Sequence, residues 1–246
     1  TKTPTIANTT LAAGELDAQS PMQVVKAVHA DNGLNCTQGT VDCEWHTTSF
    51  KYYGLRATTN GRGLLGFSQR DVTESFGAYI GSTSKTAYNN ELAKWWLAGS
   101  PRQIVKTHPN ALEASKRLSD TTLTYHPPRS TNGINASASL KILEVFGAGS
   151  SQSAWDLNGT VLPSQSSSTA SWDSTVVGAG NEGYDLDGNV LRTSATTTFG
   201  TQTHTKSSLN TYGFRSVTTT GASIARGEWI LGRLTRSEVT HSKSGT

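Results

Sequence analysis

The chain has 246 residues, a formal charge of +3 and only 16% charged residues, against about 25% in an average soluble domain. Hydroxyl side chains dominate instead, with 36 Thr and 29 Ser. Helical surfaces draw on Glu, Lys, Arg and Ala whereas exposed strands favour Thr, so the composition excludes a helical bundle. No apolar run reaches the roughly 18 residues of a membrane span, and no Lys/Arg run tracks a phosphate backbone, which excludes nucleic acid as an expected partner.

Residues 1–20 read as a polar, extended lead-in. Thr1-Lys2-Thr3-Pro4 has neither an initiator Met nor a signal-peptide pattern, and Ser244-Gly245-Thr246 follows directly on a strand-like run, so a piece of a longer protein is expected. Met22–Val28 alternates as a strand and ends in a turn at Asp31-Asn32-Gly33. Cys36 and Cys43 have a spacing that suits a disulfide across a short hairpin in an oxidising compartment. Free buried thiols are the alternative, and two cysteines do not make a zinc site. Ser49–Arg56 is the next strand, with Phe50 and Tyr52 on one face and Lys51 and Tyr53 on the other. A glycine-rich stretch over Thr59–Phe67 gathers Leu64, Leu65 and Phe67, and Val72–Tyr79 follows as a strand.

Tyr88–Leu97 is the first segment with helical propensity. Asn110–Leu118 is the second, with Glu113 and Arg117 at the i,i+4 spacing. Its neighbours Arg102–His108 and Thr121–Tyr125 are strand-like, so a hairpin turning at His108-Pro109-Asn110 is preferred to a helix there.

The best internal signal is a repeat. Trp155-Asp-Leu-Asn-Gly-Thr-Val-Leu162 recurs as Tyr184-Asp-Leu-Asp-Gly-Asn-Val-Leu191, offset by 29 residues. Each copy is an aromatic and Asp156 or Asp185, a turn on Gly159 or Gly188, and a departing Val-Leu that leads into a Ser/Thr tract. Such a unit is a strand entering and leaving a tight turn whose Gly supplies the positive φ. Alone it cannot bury its apolar face, so it must stack on neighbours.

The same sequence carries few signs of catalytic or metal chemistry. Asp185-Leu-Asp187-Gly188-Asn189, aligned as a calcium loop, has Gly183 and Ser194 at positions that need carboxylates, so the Asp-Gly turn is preferred and no metal is expected. Gly61-Arg62-Gly63 lacks the Lys-Ser/Thr ending of a phosphate loop. The six His residues are dispersed, and no Gly-X-Ser-X-Gly elbow is present. Trp95-Trp96 could form a sugar-stacking platform, which supports the alternative of a secreted β-rich adhesin or carbohydrate-binding module.

Ser20–Val25, Phe50–Arg56 and Gly61-Arg62-Gly63-Leu64-Leu65-Gly66-Phe67 together resemble the SpvB/TcdB-type region of bacterial Rhs and insecticidal Tc toxin proteins, in which a tyrosine-bearing strand leads into a GRG-x-LGF motif. Tyr184-Asp185-Leu186-Asp187-Gly188-Asn189 resembles the YD repeat of the same proteins, and Asn210–Tyr212 and Trp229–Thr235 resemble its recurring strand ends. The resemblance implies a lead-in over 1–20, an SpvB/TcdB-like β region over 21–150, and YD-like hairpins over 151–246 in one continuous sheet. It also favours strands over a helix at Asn110–Leu118. The implied fold is mainly β: a large curved antiparallel sheet forming part of a shell, with at most one or two short helices. The implied role is non-enzymatic and needs no cofactor: a secreted toxin wall that encloses a C-terminal toxic polypeptide. Its partners would be the rest of its own shell, that polypeptide and a Tc-type translocation component.

Overall fold

Alternating polar and aromatic residues build strands, and the computed structural model is mainly β, as the composition led one to expect. It describes residues 11, 13–18, 23–30, 46–59, 63–77, 79–126, 129–131, 142–169, 183–184, 188–212 and 233–245. Among the described residues strand accounts for 65% and helix for 4%, with no helix of seven or more residues. In chain order the strands are β1 (Glu15–Asp17), β2 (Ala27–Ala30), β3 (His46–Tyr53), β4 (Arg56–Thr58), β5 (Leu64–Gly66), β6 (Gln69–Phe76), β7 (Tyr79–Tyr88) and β8 (Pro101–Thr107). They continue with β9 (Arg117–Tyr125), β10 (Arg129–Thr131), β11 (Ile142–Glu144), β12 (Gly147–Ala154), β13 (Ser164–Thr169), β14 (Arg192–Phe199), β15 (Gln202–Tyr212) and β16 (Leu234–Ser244). The chain divides into two compact units, one of Thr1–Leu123 with Gln152–Leu162 and one of Thr124–Ser151 with Pro163–Thr246.

In the first unit, antiparallel strands follow the order β2-β3-β6-β7-β8-β9, and β1-β4-β5 form a separate small sheet. Phe50 and Tyr52 share a face as their alternation requires, with ring centroids 6.5 Å apart. On the other face Lys51 stands opposite Asp71, and the Tyr53 hydroxyl donates to Asp71 Oδ2 at 3.3 Å. Partial burial, then the Asp71 charge, raises the Tyr53 phenol above its ordinary pKa.

Several element boundaries differ from the sequence reading for identifiable reasons. The strand expected over Met22–Val28 is regular only from Ala27, although the Phe50 N–H still reaches Lys26 O at 2.8 Å. The strand read across Ser49–Arg56 is two strands in two sheets. β3 stops at Tyr53 because Gly54 turns at φ +56°, where a Cβ would collide with the Ser68 side chain. Val72–Tyr79 likewise divides at Gly77 into β6 and the start of β7.

Of Tyr88–Leu97, only Leu92–Leu97 coil, as a 3₁₀ segment interrupted at Lys94. Asn89 limits it: its N–H donates to Ser100 O at 2.9 Å and its carbonyl accepts the Gly99 N–H at 3.0 Å, closing the loop after one short span. No helix forms over Asn110–Leu118. β8 and β9 pair antiparallel, as the hairpin reading requires, but their connection runs over residues 108–116 rather than turning at His108-Pro109-Asn110 alone.

The second unit carries the antiparallel pair β10–β11, the Gly147–Ser151 part of β12, and strands in the order β13-β14-β15-β16. Among the described residues of both units, the buried apolar side chains are Leu65, Leu97, Ala111 and Tyr184. Sheet stability therefore draws on ladders and cross-strand pairs more than on a packed core.

Candidate functional site

Three arrangements stand out, and the first surrounds the GRG-x-LGF motif. Leu65 is 3% exposed, and Phe67 packs on Tyr52 with centroids 5.0 Å apart. Gly63 and Gly66 turn at φ +82° and +86°. The polar anchor is a residue the sequence reading did not select. Arg56 Nη1 meets Glu15 Oε2 at 3.1 Å, with side-chain exposures of 10% and 2%. Glu15 Oε1 accepts the Leu92 N–H at 2.6 Å, and Asn90 Nδ2 donates to Gly54 O at 2.9 Å. A buried carboxylate is tolerated only when paired and hydrogen-bonded, and here those bonds fix β1, β4 and the 3₁₀ segment together. Nothing in sequence spacing links Glu15 to Arg56, which are 41 residues apart.

The second arrangement is the repeat, whose two copies share a bridge, a closing hydrogen bond and a glycine conformation. Trp155 bridges Val161 and Tyr184 bridges Val190, both antiparallel. Leu162 N–H donates to Ala154 O, and Leu191 N–H to Gly183 O, each at 2.8 Å and each at the same place in its copy. Gly159 and Gly188 have φ of +82° and +84°. The Asp156 side chain of the first copy accepts the Thr160 N–H at 2.8 Å, which is the turn role expected of it.

The aromatics are anchored differently. Tyr184 is 7% exposed, lies 4.6 Å from the Phe146 ring, and donates its hydroxyl to Gly147 O at 2.6 Å. His126 meets it edge-on at 6.3 Å. Trp155 is half-buried, with the Arg117 guanidinium 4.6 Å from its centroid. Arg117 is held by Glu113 Oε1 at 3.0 Å and Asp120 Oδ2 at 3.4 Å. Glu113 Oε2 also accepts the N–H groups of Ser115 and Arg117 at 2.8 and 2.9 Å. These bonds, the Arg117 side chain first, hold the Glu113 carboxyl down to about 2 from its ordinary 4.5. Glu113 in turn raises the Arg117 guanidinium.

The third arrangement is the sheet surface of β13–β16. Partners in register place Ser164, Thr198, Thr203 and Ser244 in one row. Ser166, Thr196, Thr205 and Ser242 form the next, and Ser168, Ser194, Ser207 and Thr240 the third. All twelve positions of these three rows are hydroxyls, none of them buried, and the next row of the same face is Arg192, Leu209 and Glu238. Some bond to each other across strands, as Thr196 to Thr205 and Thr198 to Thr203, both at 3.4 Å.

Of the residues singled out from sequence, Gly63, Leu65, Gly66 and Phe67 fall in the first arrangement. Trp155, Asp156, Gly159, Tyr184, Gly188 and Asn189 fall in the second. Cys36, Cys43, Gly61, Arg62 and Asp185 lie outside the described residues. Trp95 and Trp96 are half-buried and nearly perpendicular, at 80°, and so do not present one flat stacking platform. No group of three or more metal-ligating side chains occurs among the described residues, and no helix there is long and apolar enough to cross a membrane. No protein-family model and no curated protein matches the chain.

Proposed function

We propose that the chain is a non-enzymatic wall segment of a secreted bacterial toxin shell of the Rhs/Tc type, enclosing a toxic polypeptide C-terminal to it. The hydroxyl face of β13–β16 carries this reading. An unfolded polypeptide adheres through apolar contact and through charge, and the three rows of Ser and Thr offer neither; on this face charged and large apolar side chains begin only at the next row, Arg192, Leu209 and Glu238. Such a face suits the inside of a container whose contents must be released. The two aromatic turns, each bridged from its aromatic to its valine, support the same reading, since repeated hairpin units suit a wall extended by stacking. The rest of the shell, the enclosed polypeptide and a Tc-type translocation component are the partners this role requires.

Limited proteolysis of the native full-length product of the gene encoding this chain tests the proposal. The expected result is a C-terminal polypeptide that survives protease until the shell is unfolded in denaturant. A C-terminal polypeptide digested equally fast with and without denaturant contradicts it.

A further inference from the structure

The face of β13–β16 turned away from the hydroxyl rows carries a different chemistry. His204 stands opposite Lys243 and Lys206 opposite His241, so four basic residues form a two-by-two grid, and all four are exposed. Neighbouring strands lie about 4.8 Å apart and alternate residues of one strand about 6.8 Å apart, which sets the scale of the grid. Its rows continue into Thr197 and Ala195 on β14 and Gln165 and Ser167 on β13. The row at one end is Phe199 with Gln202, and the row at the other is Thr193, Ser208 and Val239. None of these residues is a carboxylate. Like charges opposite one another in a sheet repel, and on the other face of β16 the ordinary remedy is present, because Arg236 pairs with Glu238.

The grid selects for an anion of matching extent. A single small anion offsets one or two of four groups at this spacing, whereas a chain bearing charges at intervals meets all of them. The surroundings narrow the chemistry of that chain. A docked peptide takes its affinity from aromatic or aliphatic anchors seated in pockets, and a membrane takes up large apolar side chains beside the basic ones. Within the two rows of the grid the remaining side chains are small or polar, with Phe199 and Val239 only at the margins. The amide of Gln165 and the hydroxyls of Ser167 and Thr197 match the donors and acceptors of a sugar chain.

We propose that this face is a docking surface for a sulfated polysaccharide, whose sulfates meet Lys206 and Lys243 and whose hydroxyls meet Gln165, Ser167 and Thr197. Histidine gains charge as pH falls from about 8 to 5, and the lysines are the only other charged groups beside His204 and His241 on this face. Sulfate stays ionised throughout, so binding tightens with acid. The inference does not rest on the shell reading, and a sheet continued past β16 would leave this face open.

Fluorescence anisotropy of the 246-residue chain with a fluorescein-labelled heparin oligosaccharide tests it. Saturable binding is expected, weakened by salt and tighter at about pH 5.5 than at about pH 7.5. The fully desulfated oligosaccharide should not bind. Lys206→Gln with Lys243→Gln should weaken binding roughly tenfold, two exposed ion pairs being lost. Lys26→Gln with Lys106→Gln removes the same charge from exposed positions elsewhere and should change binding less than about twofold. His204→Gln with His241→Gln should flatten the pH dependence. If Gln disturbs the strands, Lys206→Thr with Lys243→Thr supplies better strand formers and should show the same loss. Phosphatidylserine vesicles or polyglutamate bound as tightly as the oligosaccharide, equal losses in the two lysine pairs, binding unmoved by pH, or no binding at all would each overturn the proposal.

Discussion

The corner built by β1, β4, β5 and the 3₁₀ segment and the sheet of β13–β16 come from one hydroxyl-rich chain, yet they are stabilised in opposite ways. The corner buries a paired carboxylate and guanidinium, Glu15 and Arg56, and hydrogen-bonds that carboxylate to the Leu92 N–H, so each group depends on the others. The sheet keeps twelve Ser and Thr positions unburied on one face and depends on its ladder and short-range hydroxyl pairs. A mutation in the first should be felt throughout the corner, whereas the second should absorb change almost residue by residue. A fold that combines the two holds its connections firmly while leaving these rows without charge or large apolar groups.

The largest effect should come from breaking the corner. Arg56→Ala strands Glu15 as a buried charge and should cost about 3–5 kcal/mol of unfolding free energy by urea titration. Glu15→Met with Arg56→Met should recover much of that loss, because a well-packed apolar pair avoids the stranded charge. A cost under about 1 kcal/mol for Arg56→Ala would mean that the corner is as loose as the sheet.

The repeat turns should fall between the two extremes. Tyr184→Ala removes a buried ring and should cost about 3 kcal/mol, while Tyr184→Phe, which leaves the Gly147 carbonyl without its donor, should cost about 1 kcal/mol. Gly159→Ala places a Cβ at 3.1 Å from Glu113 N at a positive φ and should cost about 1–2 kcal/mol. Gly188→Ala meets the Phe146 ring at 3.3 Å instead of backbone, and a side chain can shift, so its cost should be the smaller of the two.

Acid should loosen the Glu113 clasp gradually. Its carboxyl titrates at about 2 in the fold and 4.5 ordinarily, so the unfolded chain takes up this proton first as pH falls. The contribution is therefore complete above about pH 4.5 and is lost as pH drops towards 2. Urea midpoints of wild type and Glu113→Gln should converge over that window, and a constant gap would exclude the linkage.

The smallest effect belongs to the hydroxyl rows. Thr196→Val with Thr205→Val exchanges a half-buried hydroxyl pair for good strand formers and should stay within about 0.5 kcal/mol of wild type per site. A loss comparable to that of Arg56→Ala would erase the contrast between the two regions.

Period and composition made the β class legible, since a chain with 65 hydroxyls and few charges has little with which to surface helices. The shared face of Phe50 and Tyr52, the β8–β9 hairpin and the two equivalent turns were legible for the same local reason. The corner was not. A periodic pattern runs through Gly54 without a break, and only the side chains of Ser68 and Asn90, distant in sequence, show why the strand ends there. The hydroxyl rows were half visible: Ser164, Ser166 and Ser168 alternate within one strand, but which residues lie beside them depends on register.

The central claim is that this sheet is container wall. Single-particle cryo-electron microscopy of the full-length product of the gene encoding this chain tests it most directly. The account predicts a closed, hollow β shell in which the Ser164–Thr198–Thr203–Ser244 face lines a cavity holding weak, disordered polypeptide density. A solid β sandwich with both edges capped, or a hollow shell with this face turned to solvent, would contradict it.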